Sequence, residues 1–406
     1  MSTSTTATQS SPHAPLSPTA RALVEVALAM GGFGIGTGEF AIMGLLPNVA
    51  TGLGVTTPQA GHAISAYALG VVVGAPIIAV LAAKLTRRHL LLLLMAIFAV
   101  GNLVSAFAPG YLSFVFLRFL TGLPHGAYFG VAALVAASMV APNRRTQAVA
   151  RVMTGLTIAT LVGTPVATWF GQELSWRLAF GIVGGIGILT VALIWFFLPQ
   201  DKVRPGASPL RELAAFKRKS IWLTLGVGAV GFGGFFSVFS YIASTATEVA
   251  MMPTYLVPMI MTLFGLGCVL GNLAGAWLAD KSLMKTIGGT LIWSAFFQTL
   301  LWLTASNPYA LSACVFLCGC GIAIGPALQI RLMDVAADSQ TLAAALNHSG
   351  FNIANALGAW LGGLAITAGY GFASTGWVGA LLAVAGMGVF ALAVQDDRRR
   401  KTAIRV

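Results

Sequence analysis

Apolar runs long enough to cross a bilayer recur along nearly the whole chain. A spanning helix needs about 20 mostly apolar residues. Six candidates run approximately Ala22–Leu46, Gln59–Ala83, Leu90–Ala108, Tyr111–Met139, Ala148–Phe170 and Arg177–Leu198. Six more run approximately Ile221–Ser244, Tyr255–Ala279, Thr286–Ala305, Tyr309–Leu332, Leu342–Ala368 and Ala373–Val394. Only 8% of residues are charged, against about 25% in a soluble domain. So few charges cannot cover a water-facing surface, so most of this surface must face lipid. The expected fold is therefore all-α and polytopic, with twelve transmembrane helices. Pro76, Pro124, Pro165, Pro258 and Pro326 fall inside spans, where neighbouring helices can satisfy the freed backbone groups.

Basic residues test this count. They cluster after the second span (Lys84, Arg87, Arg88), the fourth (Arg144, Arg145, Arg151), the sixth (Lys202 to Lys219) and the eighth (Lys281, Lys285). Arg331 follows the tenth span, and five more basic residues follow the twelfth. With Arg21, 21 of the 23 Lys and Arg residues fall on one side. By the positive-inside rule that side is cytoplasmic, which places both termini there and requires an even number of spans. The net charge of +12 is thus spent on topology, and nucleic acid is not an expected partner. Residues 1–20 lack the basic and apolar regions of a signal peptide and read as a disordered cytoplasmic tail.

The two halves resemble each other. Gly70-x-x-x-Gly74 followed by Leu81-Ala82-Ala83-Lys84 matches Gly267-x-x-x-Gly271 followed by Leu278-Ala279-Asp280-Lys281, at an offset of 197. Gly155-x-x-Ile158-Ala159-x-x-x-Gly163 matches Gly350-x-x-Ile353-Ala354-x-x-x-Gly358, at an offset of 195. Near-equal offsets predict two parallel six-helix bundles, residues 21–199 and 220–394. They are joined by a cytoplasmic linker, 200–219, and followed by a basic tail, 395–406. Transporters on such a plan hold their substrate between the halves near the midplane.

A charge at the bilayer centre costs about 2.5–3.5 kcal/mol on insertion scales. Two residues stand clearly in that position, Glu39 in the first helix and Arg118 in the fourth. Each lies seven residues from the outer end of its span, or roughly 10 Å deep at 1.5 Å per residue. Matching depth allows them to pair. A fixed salt bridge would lock two helices together. Alternatively, Glu39 is a proton-binding carboxylate whose proton affinity depends on how close Arg118 comes. His125, seven residues after Arg118 on the same helix face, is suited to a proton relay or a substrate hydrogen bond. It could equally hydrogen-bond a backbone carbonyl. That face also carries Gly122, Gly126 and Gly130, a stripe of small residues that permits close helix approach. His348 lies near the inner end of its helix and is the weaker candidate. Among uncharged polar residues mid-span, Tyr67, Tyr128, Tyr241 and Asn352 are the candidates for a substrate cavity, with Asn352 foremost. Cys268, Cys314, Cys318 and Cys320 lie in apolar runs without partner histidines or carboxylates, so helix packing is expected and no metal.

These residues together resemble the major facilitator superfamily, in its twelve-helix drug:proton antiporter branch and arabinose-efflux-permease-like subgroup. The resemblance covers Arg21 to Val394. It is carried by Gly38-Glu39-Phe40-Ala41-Ile42-Met43-Gly44-Leu45-Leu46-Pro47 in the first helix and Arg118-x-x-x-Gly122-x-x-x-Gly126 in the fourth. In the fifth, Gly155 through Gly163-Thr164-Pro165 to Gly171 is similar to the antiporter motif of exporters. Asn347-His348-Ser349-Gly350-Phe351-Asn352 in the eleventh fits the subgroup. The resemblance implies the major facilitator fold and a proton-coupling role for Glu39 and Arg118, which His125 joins by its place on the same helix face. It also implies gating loops at Lys84, Arg87, Arg88, Asp280 and Lys281. One departure stands out: Ala83 occupies the place where the family's loop usually carries Asp, whereas the second-half copy keeps Asp280.

The expected function is proton-coupled export of a small neutral, cationic or amphipathic solute by alternating access in a bacterial inner membrane. A drug, sugar or nucleoside fits that description. A polyanion would need clusters of Arg or Lys, and only Arg118 is placed for one. The expected partners are the solute, protons and lipid; the chain is expected to be a monomer without a cofactor. The alternative is a facilitator or importer of the same fold. A membrane enzyme is disfavoured by the absence of HExxH, a GK[ST] loop or an intramembrane carboxylate cluster. A channel would need rings of charges or carbonyls, and none is visible.

Overall fold

The computed structural model describes residues 17–55, 57–201, 212–336 and 339–403. They form twelve helices long and apolar enough to cross a membrane. These are α1 (Pro18–Leu45), α2 (Gln59–Leu81), α3 (Arg87–Ala106), α4 (Tyr111–Ser138), α5 (Pro142–Gly171) and α6 (Trp176–Phe197), followed by α7 (Lys219–Ile242), α8 (Met259–Lys281), α9 (Leu283–Thr304), α10 (Pro308–Val335), α11 (Gln340–Tyr370) and α12 (Ser374–Arg400). No strand occurs among the described residues. Consecutive spans alternate direction, so both ends of the chain emerge on one face, called here the terminal face.

Residues 1–16 of the expected leader, 202–211 of the expected linker and 404–406 of the expected tail lie outside the described residues. Helix α1 starts inside the expected leader, at Pro18, where the Ser17 hydroxyl accepts a hydrogen bond from Ala20 N at 3.1 Å. The last helix does not stop at Val394 but runs on, beyond its membrane-crossing part, to Ala403. Asp396 and Asp397 on this extension take part in ion pairs. Arg331 donates to Asp397 at 2.6 Å, and Arg400 forms an ion pair with Asp396 at 2.9 Å.

The glycine repeat has a physical cause. A Cβ at Gly70 would run into the Phe119 carbonyl, and one at Gly74 into that of Leu123. In the second half, Gly267 and Gly271 meet the Phe316 and Cys320 carbonyls in the same way. Backbone-to-backbone packing of α2 on α4, and of α8 on α10, therefore leaves no room for a side chain. The α5 motif does the same along α1: Gly155 faces the Ala29 carbonyl, Gly163 the Thr37 hydroxyl and the Phe33 ring, and Gly171 the Leu45 side chain. Pro165 has no N–H to donate, and the helix widens into a π-turn over Ala159–Gly163 just before it.

The halves meet most closely between mid-depth and the terminal face. Gly130 of α4 lies against the Ala345 backbone of α11. Asn272 of α8 donates to the Ala150 carbonyl of α5 at 2.9 Å, and Arg145 pairs with Asp334 at 2.8 Å. Toward the opposite face the contact is apolar, as where Phe40 meets Phe239 edge-on at 6.4 Å.

Candidate functional site

Glu39 of α1 and Arg118 of α4 lie at one level, where the arginine reaches the backbone of α1. Arg118 is fully buried, and its Nη2 donates to the Gly38 carbonyl at 3.0 Å. Its guanidinium lies 4.4 Å from the centre of the Tyr67 ring and 5.4 Å from that of Phe180, within the range of cation–π attraction. Its Nε and Nη1 are buried without a hydrogen-bond partner. Glu39 is the residue next to Gly38, yet its carboxylate forms no ion pair with Arg118 within 4.0 Å. It faces His125 instead, with Oε2 at 3.9 Å from Nδ1. Equal depth thus brought the expected pair to one site, but the arginine is held by backbone and aromatic faces.

His125 is the hub. Its Nδ1 lies 3.1 Å from the Tyr67 hydroxyl, and its Nε2 lies 3.2 Å from Nδ1 of His348. The sequence ranked His348 low because it lies near the inner end of its helix, and it stands 223 positions from His125. Packing of α4 on α11 brings them into contact.

Beside this cluster lies a cavity between the halves, with about 620 Å³ of empty space. Glu39, Phe40 and His125 line it from the first half, and His348, Phe351 and Asn352 from α11. The rings of Phe232, Phe235, Phe236 and Phe239 on α7, with Phe264 on α8, make much of the wall. Thr157, Thr160 and Asn355 add uncharged polar groups. These phenylalanines went unremarked in the sequence, where an aromatic-rich apolar helix reads as lipid-facing.

Of the four expected cavity residues, Asn352 is in the wall; its Nδ2 donates to the His348 carbonyl at 3.0 Å. The others are engaged elsewhere. Tyr67 packs beneath Arg118, Tyr128 donates to the Leu28 carbonyl at 2.8 Å, and Tyr241 donates to the Ala359 carbonyl at 2.8 Å. An ion pair between α1 and α5 also lay outside the sequence reading. Glu25 of α1 accepts from both Nε and Nη2 of Arg151, at 2.6 and 2.9 Å. Glu25 sits only three residues inside the predicted span, and Arg151 had been read as part of a loop cluster.

At the terminal face, Asp280 accepts from the backbone N–H groups of Thr146 and Gln147, at 2.8 and 3.0 Å. A carboxylate of the second half thereby caps the first turn of α5 in the first half. Lys281 lies over the Trp277 ring at 3.3 Å. Lys84 is exposed. The amides of Arg87 and Arg88 donate to Asp201, at the start of the connection after α6, at 2.9 and 3.2 Å.

The sequence profile of the Major Facilitator Superfamily matches residues 28–282 and 247–405. The chain belongs to that superfamily. It is 38% identical over 359 residues to the inner membrane transport protein YdhP of Escherichia coli (strain K12), covering 88% of this chain and 92% of that one. It is 31% identical over 341 residues to a chloramphenicol resistance protein of Streptomyces lividans, covering 82% and 86%. Among solved structures, the proton:xylose symporter XylE aligns with a TM-score of 0.75 over 91% of this chain and 94% of that one, at 14% identity. The fold is therefore the major facilitator fold of two parallel six-helix repeats, and the protein is a membrane transporter with its cavity between them.

Proposed function

We propose that this transporter exports a small organic solute in exchange for protons. It would work by alternating access as a monomer in the inner membrane, with the terminal face toward the cytoplasm. The observation that carries the reading is the buried Glu39 carboxylate, 3.9 Å from His125, in the wall of the cavity between the halves. A group that takes up a proton and also faces the solute makes the two compete for one place. The neighbouring Arg118, tied to the Gly38 carbonyl rather than to Glu39, would favour loss of that proton whenever the helices bring it closer.

The wall also bears on the solute. Phenylalanine rings dominate it, and the charged or imidazole groups are few. A ring-bearing neutral or cationic amphiphile gains from stacking and burial there. A sugar would leave most of its hydroxyls facing rings. Chloramphenicol, suggested by the Streptomyces relative, and a lipophilic aromatic cation are the first compounds to try.

The test uses everted membrane vesicles holding a pH gradient. Either compound should release protons from vesicles carrying the wild-type chain. Glu39→Gln should abolish this while the protein remains in the membrane at normal abundance. Coupling retained in that variant would remove Glu39 from the proton step, and transport without proton release would leave a facilitator.

A further inference from the structure

The polar cluster does not end at the half that carries Glu39. The bond between His125 Nε2 and His348 Nδ1, at 3.2 Å, joins one imidazole of α4 to one of α11. Packing holds the rings in register. Phe129 stacks on His348 with centroids 4.2 Å apart and planes 14° from parallel. Gly126 clears the approach, since a Cβ there would come within 3.1 Å of the Ala345 carbonyl. Both histidines are buried, and Nε2 of His348 has no partner.

We propose that His348 is a positioning residue that ties closure of the two halves to the protons held at the site. Its bond to His125 forms only while the halves are together and the two rings carry at most one extra proton. The proposal deepens the proton-coupled reading at the same site.

The proton count follows from the chemistry of the rings. In the neutral pair, one ring N–H donates to the lone pair of the other. One added proton is accommodated. His125 then keeps its N–H toward His348 and turns a second N–H toward the Tyr67 hydroxyl, 3.1 Å away, and toward Glu39. A second added proton sets N–H against N–H and cation against cation, so the bond is lost. The ionisable groups facing the pair are Glu39 from α1 and Tyr67 from α2, with Arg118 of α4 against the Tyr67 ring. Cys268 of α8 lines the same cavity, whereas α7 and α10 contribute Phe rings and Ile322 to it. The separated halves therefore hold more protons at this pair than the joined ones. By reciprocity of linked equilibria, acid favours separation and rising pH favours closure.

The experiment uses the full chain in liposomes without solute. Ser349, next to His348, is buried, and its hydroxyl lies 3.5 Å from the Val71 carbonyl across the seam. In Ser349→Cys, alkylation of that thiol by a water-soluble maleimide is read by peptide mass spectrometry. At each pH it is normalised to detergent-unfolded protein. Labelling should rise by about tenfold as pH falls from about 8 to about 5.5. In His348→Asn, whose amide reaches the Nδ1 position but takes up no proton, the rise should vanish and the seam stay protected. An equal rise in that variant, or no rise with His348 present, would overturn the proposal. Should His348→Asn fail to insert, His125→Gln tests the same bond from the other ring. Acid-dependent labelling together with failed antiport would discard only the proton-exchange reading. Intact antiport with flat labelling would discard only the role of His348.

Discussion

The two ends of the glycine repeat carry the same packing and different electrostatics. At an offset of 197, Gly70 and Gly74 against α4 correspond to Gly267 and Gly271 against α10, and backbone meets backbone in both. A few residues further on, the copies part: Asp280 stands where the first half has Ala83. Asp280 reaches across the seam to cap α5 through Thr146 and Gln147. At the 195-residue offset of the fifth and eleventh helices, Gln147 corresponds to Leu342. The N–H of Leu342 is capped too, at 2.9 Å, by the carboxylate of Glu212. Glu212 belongs to the segment leading into α7, not to the first half. Both helix starts thus obtain an anionic acceptor for orphan N–H groups, but only one acceptor comes from the opposite half. The need to cap a helix is met twice, and the cross-half tie only once.

The largest effect should come from attacking what the halves share. Gly74→Leu and Gly271→Leu each drive a side chain into a carbonyl, and overpacking of this kind costs about 1–3 kcal/mol or more. Both should lose most of their monodisperse yield in detergent chromatography. If one is tolerated, the packing is not equivalent. Next comes Asp280→Ala. Loss of a cap costs about 1 kcal/mol, so hydrogen exchange at the start of α5 should quicken roughly fivefold and the halves should part more readily at the terminal face. Smallest is Glu212→Gln, which keeps an acceptor but removes the charge. Exchange should rise about twofold or less, only at the start of α11, with α5 unchanged. A change at α5 in that variant would mean that the linker carboxylate also bears on the cross-half contact.

Much of the architecture was legible because the bilayer imposes length and composition on every span. Twelve apolar runs gave twelve helices, and the paired glycines marked where the backbones touch. The site was legible in part. Depth counting placed Glu39 and Arg118 together, since rise per residue is fixed in a helix. It could not say that the guanidinium would turn to Gly38 and Tyr67, which depends on side-chain torsions and neighbouring rings. The bond of His348 to His125 and the wall of α7 phenylalanines were hidden for another reason: both arise from contact between elements far apart in the chain. Glu212 was passed over as one more charge in a charged connection, because nothing local shows which N–H a carboxylate will meet.

The extended α12 has a consequence for measurement. Thirty residues, Ser374–Ala403, reach about 45 Å at 1.5 Å per residue, and the hydrocarbon layer is about 30 Å thick. The surplus turns stand clear of it as a stiff post, braced by Arg331 on Asp397. A fluorophore or spin label fixed near Arg399 would therefore tumble with the second bundle rather than on a loose tether. Its orientation would report directly whether that bundle turns during transport.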